Sequence, residues 1–523
     1  MLKRITWLHI LLLLAAIKLM LHFCTNTLWS LHRDALLYLA LSRHLDWGFA
    51  SVPPSIAAFS WIASNILGGS VFAVRLFPTI ISTLTVILTG MMAYEMIPGK
   101  SGDKRGLKAA VLIGVAGLTS GAFLRPGMLM QPVVFDIFYW TLICWLVLKY
   151  INTENTRWIL WLGVAIGFGL LNKYSIAFII AGLLPWLLLT KQRKLFSTRD
   201  FYVALILAGL IFLPNFIWQI QHQLPVMRHM RELAATQFVN VTISGFLMDQ
   251  LFFFLPALPL WLLGLYYLLF TKAGRKWKGF AWLYFSVLLL MILLKGKSYY
   301  TIGTYPVLIA AGAAFFEKLT TNRSWILAPV SGLMLLIAIP QLPVILPVYR
   351  PEKEAAFFAK RKNLSIMQSA LRWEDGKLHP LPQDFSDMLG WEEIAHIVGE
   401  AWESIPDKSK AAIYAENYGL AGAIEHFGKS YDLPEVLSFS DNYRYWLPDS
   451  LPSDFHTLIY VNTELGDDMH GFFQHLTKIG SLHMPLSRQD GTLVYLCEGP
   501  TAAFFERIDG AIRNAKHEIP IDR

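Results

Sequence analysis

Asp34 lies in a short polar stretch, Leu31 to Pro54, that follows one strongly apolar run and precedes another. Arg33, Asp34, Arg43, His44 and Asp46 are costly in hydrocarbon, while Leu37, Tyr38, Leu41 and Leu45 recur at helical spacing. The stretch therefore reads as a helix lying in a membrane interface. A carboxylate at that boundary, beside cations and under a lipid-facing apolar stripe, is placed to take a proton from a water-soluble hydroxyl. Other groups with usable chemistry sit at the ends of apolar runs. Arg125 opens a segment that closes on Gln131-Pro132, and Asp136 follows about one helical turn later. An ionisable group near the outer end of a span is a site candidate. Lys173-Tyr174 occupies a turn between two runs, and Lys295-Gly-Lys297-Ser-Tyr299-Tyr300 sets two lysines beside tyrosines at another. Such lysines can hold a phosphate. His222 begins the longest polar segment between runs, continuing through Arg228, His229 and Arg231, and covering a cavity is its economical role. Each group also has a plainer use: Asp136 pairing with a neighbouring helix, Lys173 snorkelling, His222 anchoring at an interface.

Positioning these residues requires a membrane body. The chain has 523 residues, 55% of them hydrophobic and only 16% charged, with a mean hydropathy of +0.45, which defines a polytopic helical membrane protein. Runs long enough to cross about 30 Å of hydrocarbon fall near 5–23, 72–96, 107–123, 130–150, 158–172, 174–190, 201–219, 250–270, 279–294, 302–316 and 325–348, which predicts eleven spans. The net charge of +8 comes from cations clustered in short loops, so nucleic-acid binding is not implied. With a cytoplasmic N-terminus, eighteen cations, Lys3, Arg4, Lys100 and Lys104 among them, fall on the inner face and eight in the short outer loops. That asymmetry fixes the expected orientation. Met1-Leu-Lys-Arg4 and the run after it lack a small-x-small cleavage site, so the first run reads as an uncleaved span.

An odd span count places everything beyond Arg350 outside. The chain thus divides into a membrane module, 1–350, and an external soluble domain, 351–523, where charged residues are frequent. Ala411–Ala415, Thr457–Val461 and Thr492–Leu496 read as short buried strands and Leu420–Phe427 as a helix after the first, giving an α/β domain. Cys24, Cys144 and Cys497 are far apart and fit neither a metal spacing nor a disulfide framework.

The order Asp34, Tyr38, Arg43-His44-Leu45, Trp47-Gly48-Phe49, Pro53-Pro54 resembles the first external loop of bacterial GT-C glycosyltransferases related to protein O-mannosyltransferases and lipid A aminoarabinose transferases (glycosyltransferase family 39/83 type). Gln131 to Asp136 with Trp140, Leu170 to Tyr174, Pro214 to Pro225, Lys295 to Pro306, and in the tail Glu416 to Ala423 with Asp441-Asn-Tyr443 and Trp446, resemble further segments of the same family. The family loop usually carries Asp-Glu and a later acid before Pro-Pro. Here the pair is Asp34-Ala35, and Ser51 stands at the later position. One acid remains where the family often has three, so whether a divalent metal is bound is left open, and no other cofactor is implied.

The resemblance implies transfer of a sugar from a polyprenyl-phosphate donor to an acceptor (lipid A, polysaccharide, glycolipid or protein) on the periplasmic face of a bacterial inner membrane. It implies a single inverting displacement with Asp34 as general base. Arg125, Asp136, Lys173, Tyr174, His222, Lys295, Lys297, Tyr299 and Tyr300 would then line the substrate site, the lysines facing the donor phosphate. A lipid-linked sugar flippase, or a sugar-binding membrane scaffold without activity, remains an alternative. No Walker loop, His-Glu-x-x-His or nucleotide-binding glycine turn occurs, so ATP and nucleotide-sugar chemistry have no support.

Overall fold

The computed structural model describes residues 6–98 and 105–517; Lys3, Arg4, Lys100 and Lys104, counted on the inner face above, lie outside them. Each of the eleven apolar runs is helical. Six helices are long and apolar enough to cross a membrane: Trp7–Thr25, Val71–Met96, Pro132–Thr153, Arg199–Gln221, Ser298–Leu319 and Ser324–Ile345. Three more runs form helix pairs bent by 80° at Ser120, by 107° after Leu189 and by 72° near Phe253, so that among the described residues the candidate spans number up to nine if each bent pair counts as one. The remaining two, Arg157–Asn172 and Gly279–Leu293, have 16 and 15 residues. Hydropathy marks apolar runs but not where a helix breaks, so length and composition give six to nine spans where the runs predicted eleven.

The stretch around Asp34 differs from its expected form. The helix is Arg33–Leu41, only nine residues long, and Ala35 to Leu41 are all buried. It is therefore no half-exposed interfacial helix with a lipid-facing stripe. The tail covers it: Leu31 to Leu41 share one apolar cluster with Trp391, Ile394, Val398, Leu420 and Ile424. Leu36, Leu41 and Leu420 are fully buried there, and each such side chain contributes about 1.5–3 kcal/mol. That exceeds the median exposed ion pair, so apolar packing holds the tail down and polar contacts orient it.

The tail carries a four-stranded sheet of β1 (Ala411–Ala415), β2 (Thr457–Asn462), β3 (Phe473–Ser481) and β4 (Leu493–Pro500), in the order β1-β2-β4-β3. β1 runs parallel to β2, with Ile413 opposite Ile459, and the helix Tyr418–Phe427 forms the crossover between them. The other pairings are antiparallel. Alternation sends Ile459 and Val461 toward the helices Trp391–Glu403 and Tyr418–Phe427, and Leu458 and Cys497 toward the helix Ala502–His517. β3 was not among the expected strands. It is an edge strand, mostly exposed and carrying His475 and Lys478, and a polar edge lacks the apolar run that marks a central strand. Cys24 is exposed, Cys144 and Cys497 are buried, and all three are free thiols.

Candidate active site

Asp34 sits in the first turn of its helix. The His32 imidazole caps that turn by accepting the Asp34 N–H through Nδ1 at 3.1 Å. The carboxylate receives two donors from distant segments: Gln131 Nε2 lies 2.7 Å from Oδ2, and the Tyr418 hydroxyl 3.0 Å from Oδ1. Gln131 is fixed because it is the N-cap residue of the helix beginning at Pro132, whose first carbonyl accepts from Asn172 Nδ2 at 3.0 Å. Tyr418 begins the tail helix, capped by Asn417, and its ring lies 4.4 Å under the Arg33 guanidinium. Two glycines permit this approach. A Cβ at Gly419 would fall 2.7 Å from Arg33 Cγ, and one at Gly422 2.8 Å from the Leu36 carbonyl oxygen.

Behind Asp34 lies a charged layer. His32 Nε2 faces Asp384 and Asp387, each at 3.8 Å. Arg125 pairs with Asp384 at 3.0 Å and Arg488 with Asp387 at 3.3 Å. Burial alone would raise the Asp384 carboxyl, but Arg125 and His32 outweigh it and hold it well below the usual carboxylate range. Burial would lower His32, yet Asp384, Asp34 and Asp387 together raise it above its ordinary value of 6.5. Burial and the neighbouring Asp34 push the Tyr418 phenol well up, so it remains a hydrogen-bond donor.

The remaining expected residues fall into two groups. Lys173 places its ammonium 5.1 Å from the Tyr299 ring centroid and 4.9 Å from that of Tyr300. Lys297 donates to Glu374 of the tail at 2.7 Å, and Gln383 donates to the other Glu374 oxygen at 3.1 Å. Asp34 lies within electrostatic reach of Tyr299, and Lys297 within reach of Asp384, so this group borders the Asp34 group. Asp136, buried, accepts from Trp140 Nε1 at 3.1 Å and lies within electrostatic reach of Lys173. Lys295 is exposed, and its ammonium makes no hydrogen bond or ion pair among the described residues. Tyr174 and His222 belong elsewhere. The Tyr174 hydroxyl donates to Asn215 at 2.9 Å, Asn215 donates to the Trp47 carbonyl at 2.7 Å, and His222 stacks on Trp218 with centroids 4.0 Å apart. Trp218 Nε1 in turn donates to Asp46 at 2.6 Å, so these residues pin the segment around Asp46 and Trp47 to the helix Arg199–Gln221.

Sequence reading did not single out Gln131, Tyr418, His32, Asp384 or Asp387 for the site. Gln131 and Tyr418 fell inside segments already noted, but no local pattern says that either reaches Asp34. The paired acids at 384 and 387 carried no signal tying them to His32. Among the described residues no group of three or more His, Cys, Asp or Glu is placed to hold a metal.

Residues 51–218 match the family described as dolichyl-phosphate-mannose-protein mannosyltransferase. Over 211 residues the chain is 26% identical to the lipid A galacturonosyltransferase RgtD of Rhizobium johnstonii, a match that covers 38% of this chain and 41% of the relative. It thus spans less than half of that relative's length. The crystal structure of ArnT from Cupriavidus metallidurans bound to undecaprenyl phosphate superposes with a TM-score of 0.59 at 14% identity, covering 93% of this chain and 97% of that one. Its apo state gives a TM-score of 0.56 with the same coverage. The chain has the GT-C fold, and the family resemblance carried by its loop motifs is the one these comparisons return.

Proposed function

We propose that this chain is an integral-membrane glycosyltransferase that moves a sugar from a polyprenyl-phosphate donor to an acceptor hydroxyl on the outer face of a bacterial inner membrane. The observation that carries the reading is the setting of Asp34. Its carboxylate is held by Gln131 and Tyr418, from two other segments, and borders a cluster of lysines and tyrosines. Asp34 takes the proton of the acceptor hydroxyl as its oxygen attacks the anomeric carbon. The bond from that carbon to the phosphate oxygen breaks, the configuration inverts, and polyprenyl monophosphate leaves. The monoester carries more charge than the bound diester, so a cation near it stabilises departure more than binding. Lys173 is placed for this role, and Lys297 shares it once its pairing with Glu374 is loosened.

The bound undecaprenyl phosphate of ArnT supports the donor class, and the lipid A acceptor named for RgtD makes lipid A the first acceptor to try. With the N-terminus inside and an odd number of crossings, the tail and Asp34 share the outer face. The decisive experiment adds the purified chain to membranes of a strain lacking it and follows the sugar by mass spectrometry of the glycolipids. Wild type should form a new glycosylated product and Asp34→Asn should not. Equal product from both would remove Asp34 as base, and flipping of the donor without transfer would identify a transporter.

A further inference from the structure

The membrane body holds a column of polar side chains that the reaction scheme leaves unused. Lys18 is fully buried, roughly 10 Å from the end of the helix Trp7–Thr25 that leads to Asp34. Its ammonium donates to the Ser82 hydroxyl at 2.8 Å and lies 3.3 Å from His22 Nε2, and it has no acidic partner among the described residues. An ionisable group without an acid is costly at that depth, and packing alone does not call for one. His22 Nδ1 and Asn26 Oδ1 are buried beside it and have no hydrogen-bond partner among the described residues. The column therefore weakens the fold where apolar side chains would not.

What the column touches shows its use. The helix Leu107–Thr119 breaks at Ser120 and continues, bent by 80°, as Gly121–Met128. Carbonyls near such a break need partners from neighbouring helices, because hydrocarbon supplies none. Ser82 Oγ donates to the Phe123 carbonyl at 2.5 Å, and Thr79 Oγ1, about one turn away on the same helix, donates to the Gly127 carbonyl at 2.8 Å. A hydroxyl has a single proton to give. The Lys18 ammonium donates into Ser82 Oγ, and the Asn26 amide donates into Thr79 Oγ1 at 3.1 Å, so each hydroxyl keeps its own proton aimed at the broken segment. The fit is close: a Cβ at Gly127 would fall 2.9 Å from His22 Nε2. That segment carries Arg125, which pairs with Asp384 at 3.0 Å, and runs on to Gln131, which donates to Asp34 at 2.7 Å.

We infer that Lys18 is a positioning residue, acting through Ser82 and the Phe123 carbonyl to set Arg125 and Gln131 around Asp384 and Asp34. The inference rests on the glycosyltransferase reading. It is tested with the purified Lys18→Met protein added to deletion-strain membranes, with kcat, undecaprenyl phosphate affinity and the thermal midpoint measured separately. Methionine fills nearly the same space without the polar head, so the thermal midpoint should equal or exceed that of wild type. The kcat should fall roughly three- to tenfold, as for one lost hydrogen bond, with undecaprenyl phosphate affinity unchanged. Ser82→Ala, which takes the donor from the Phe123 carbonyl, should lower kcat by at least as much. Lys18 and Gln131 share no hydrogen-bond partner, so losses that travel by separate routes would multiply. In Lys18→Met combined with Gln131→Ala the loss should instead fall short of the product. Wild-type kcat in Lys18→Met would overturn the inference while leaving Asp34 chemistry standing. So would losses that multiply, or a kcat loss matched by losses of stability and affinity, which marks a merely structural lysine. Absence of transfer by wild type would instead remove the glycosyltransferase reading and the inference with it.

Discussion

The hydroxyl of Tyr418 lies 3.0 Å from Oδ1 of Asp34, although the two residues are 384 positions apart in the chain. The contact joins the helix Arg33–Leu41 to the helix that follows β1, and it brings the tail against the candidate site. Tyr418→Phe removes one donor and leaves the ring under Arg33. A hydrogen bond to a charged group is worth roughly 1.5–3 kcal/mol, so transfer should fall about tenfold or more while the protein remains folded. Wild-type rates in Tyr418→Phe would make the contact a matter of docking alone.

The close approach of the two helices gives a second expectation. A side chain at Gly422 meets the backbone of Leu36, which cannot move aside as a flexible side chain could. Gly422→Val should therefore destabilise docking by roughly 1–3 kcal/mol, as overpacking does, and should abolish transfer. Gly510 lies in the helix Ala502–His517 with open space around it, so Gly510→Ala serves as the control and should stabilise by roughly 0.5–1 kcal/mol. Thermal unfolding and transfer measured on both variants decide this; a Gly422→Val protein as stable and active as wild type would contradict the packing.

Much of this architecture could be read from residue types, and the reasons for the exceptions are physical. Apolar runs marked helices along the body, because burial in hydrocarbon leaves a composition signal, but they did not fix how many of those helices are long enough to cross a membrane. They did not locate the bends at Ser120, Leu189 and Phe253, which depend on what packs alongside. Ile413, Ile459 and Val494 betrayed strands with a buried face, while the polar edge strand with His475 and Lys478 did not. Asp34 was legible as a lone carboxylate among cations. Its partners were not, because Gln131 and Tyr418 are unremarkable residues until the fold brings three segments together. The apolar positions of the Asp34 helix were read as facing lipid, and only the tail that covers them shows otherwise.

The layer behind Asp34 predicts a pH dependence. His32 is raised above its ordinary value of 6.5 by Asp384, Asp34 and Asp387, burial notwithstanding. A histidine whose folded value exceeds its unfolded one contributes stability that is fully present below the unfolded value and is lost as pH rises through the folded one. Tail docking should accordingly weaken from about pH 6.5 upward. Glu354, which burial raises to about 7, acts in the same direction, so the wild-type curve alone does not isolate His32. His32→Asn keeps a good N-cap residue and removes the charge. Its thermal midpoint should vary less with pH than that of wild type, and identical pH profiles would show that His32 stays neutral.

The last prediction concerns the donor phosphate and separates three lysines that the sequence alone treats alike. Lys173 has its ammonium over two tyrosine rings and within electrostatic reach of Asp136, and it makes no ion pair among the described residues. Lys297 is already neutralised by Glu374, and the exposed Lys295 ammonium has no ion pair or hydrogen bond among the described residues. A cation that meets the leaving monoester acts more strongly in the transition state than on the bound diester. Lys173→Met should therefore lower the transfer rate by about tenfold or more, with a smaller loss of affinity for undecaprenyl phosphate. Lys297→Met frees the Glu374 carboxylate beside the phosphate position, so it should weaken both rate and affinity, and the double change Lys297→Met with Glu374→Gln should recover part of the affinity. Lys295→Met should leave both quantities near wild type. Rates and affinities measured separately on the four proteins decide the order, and a large effect at Lys295 with none at Lys173 would move the phosphate away from the tyrosine cluster to the exposed turn.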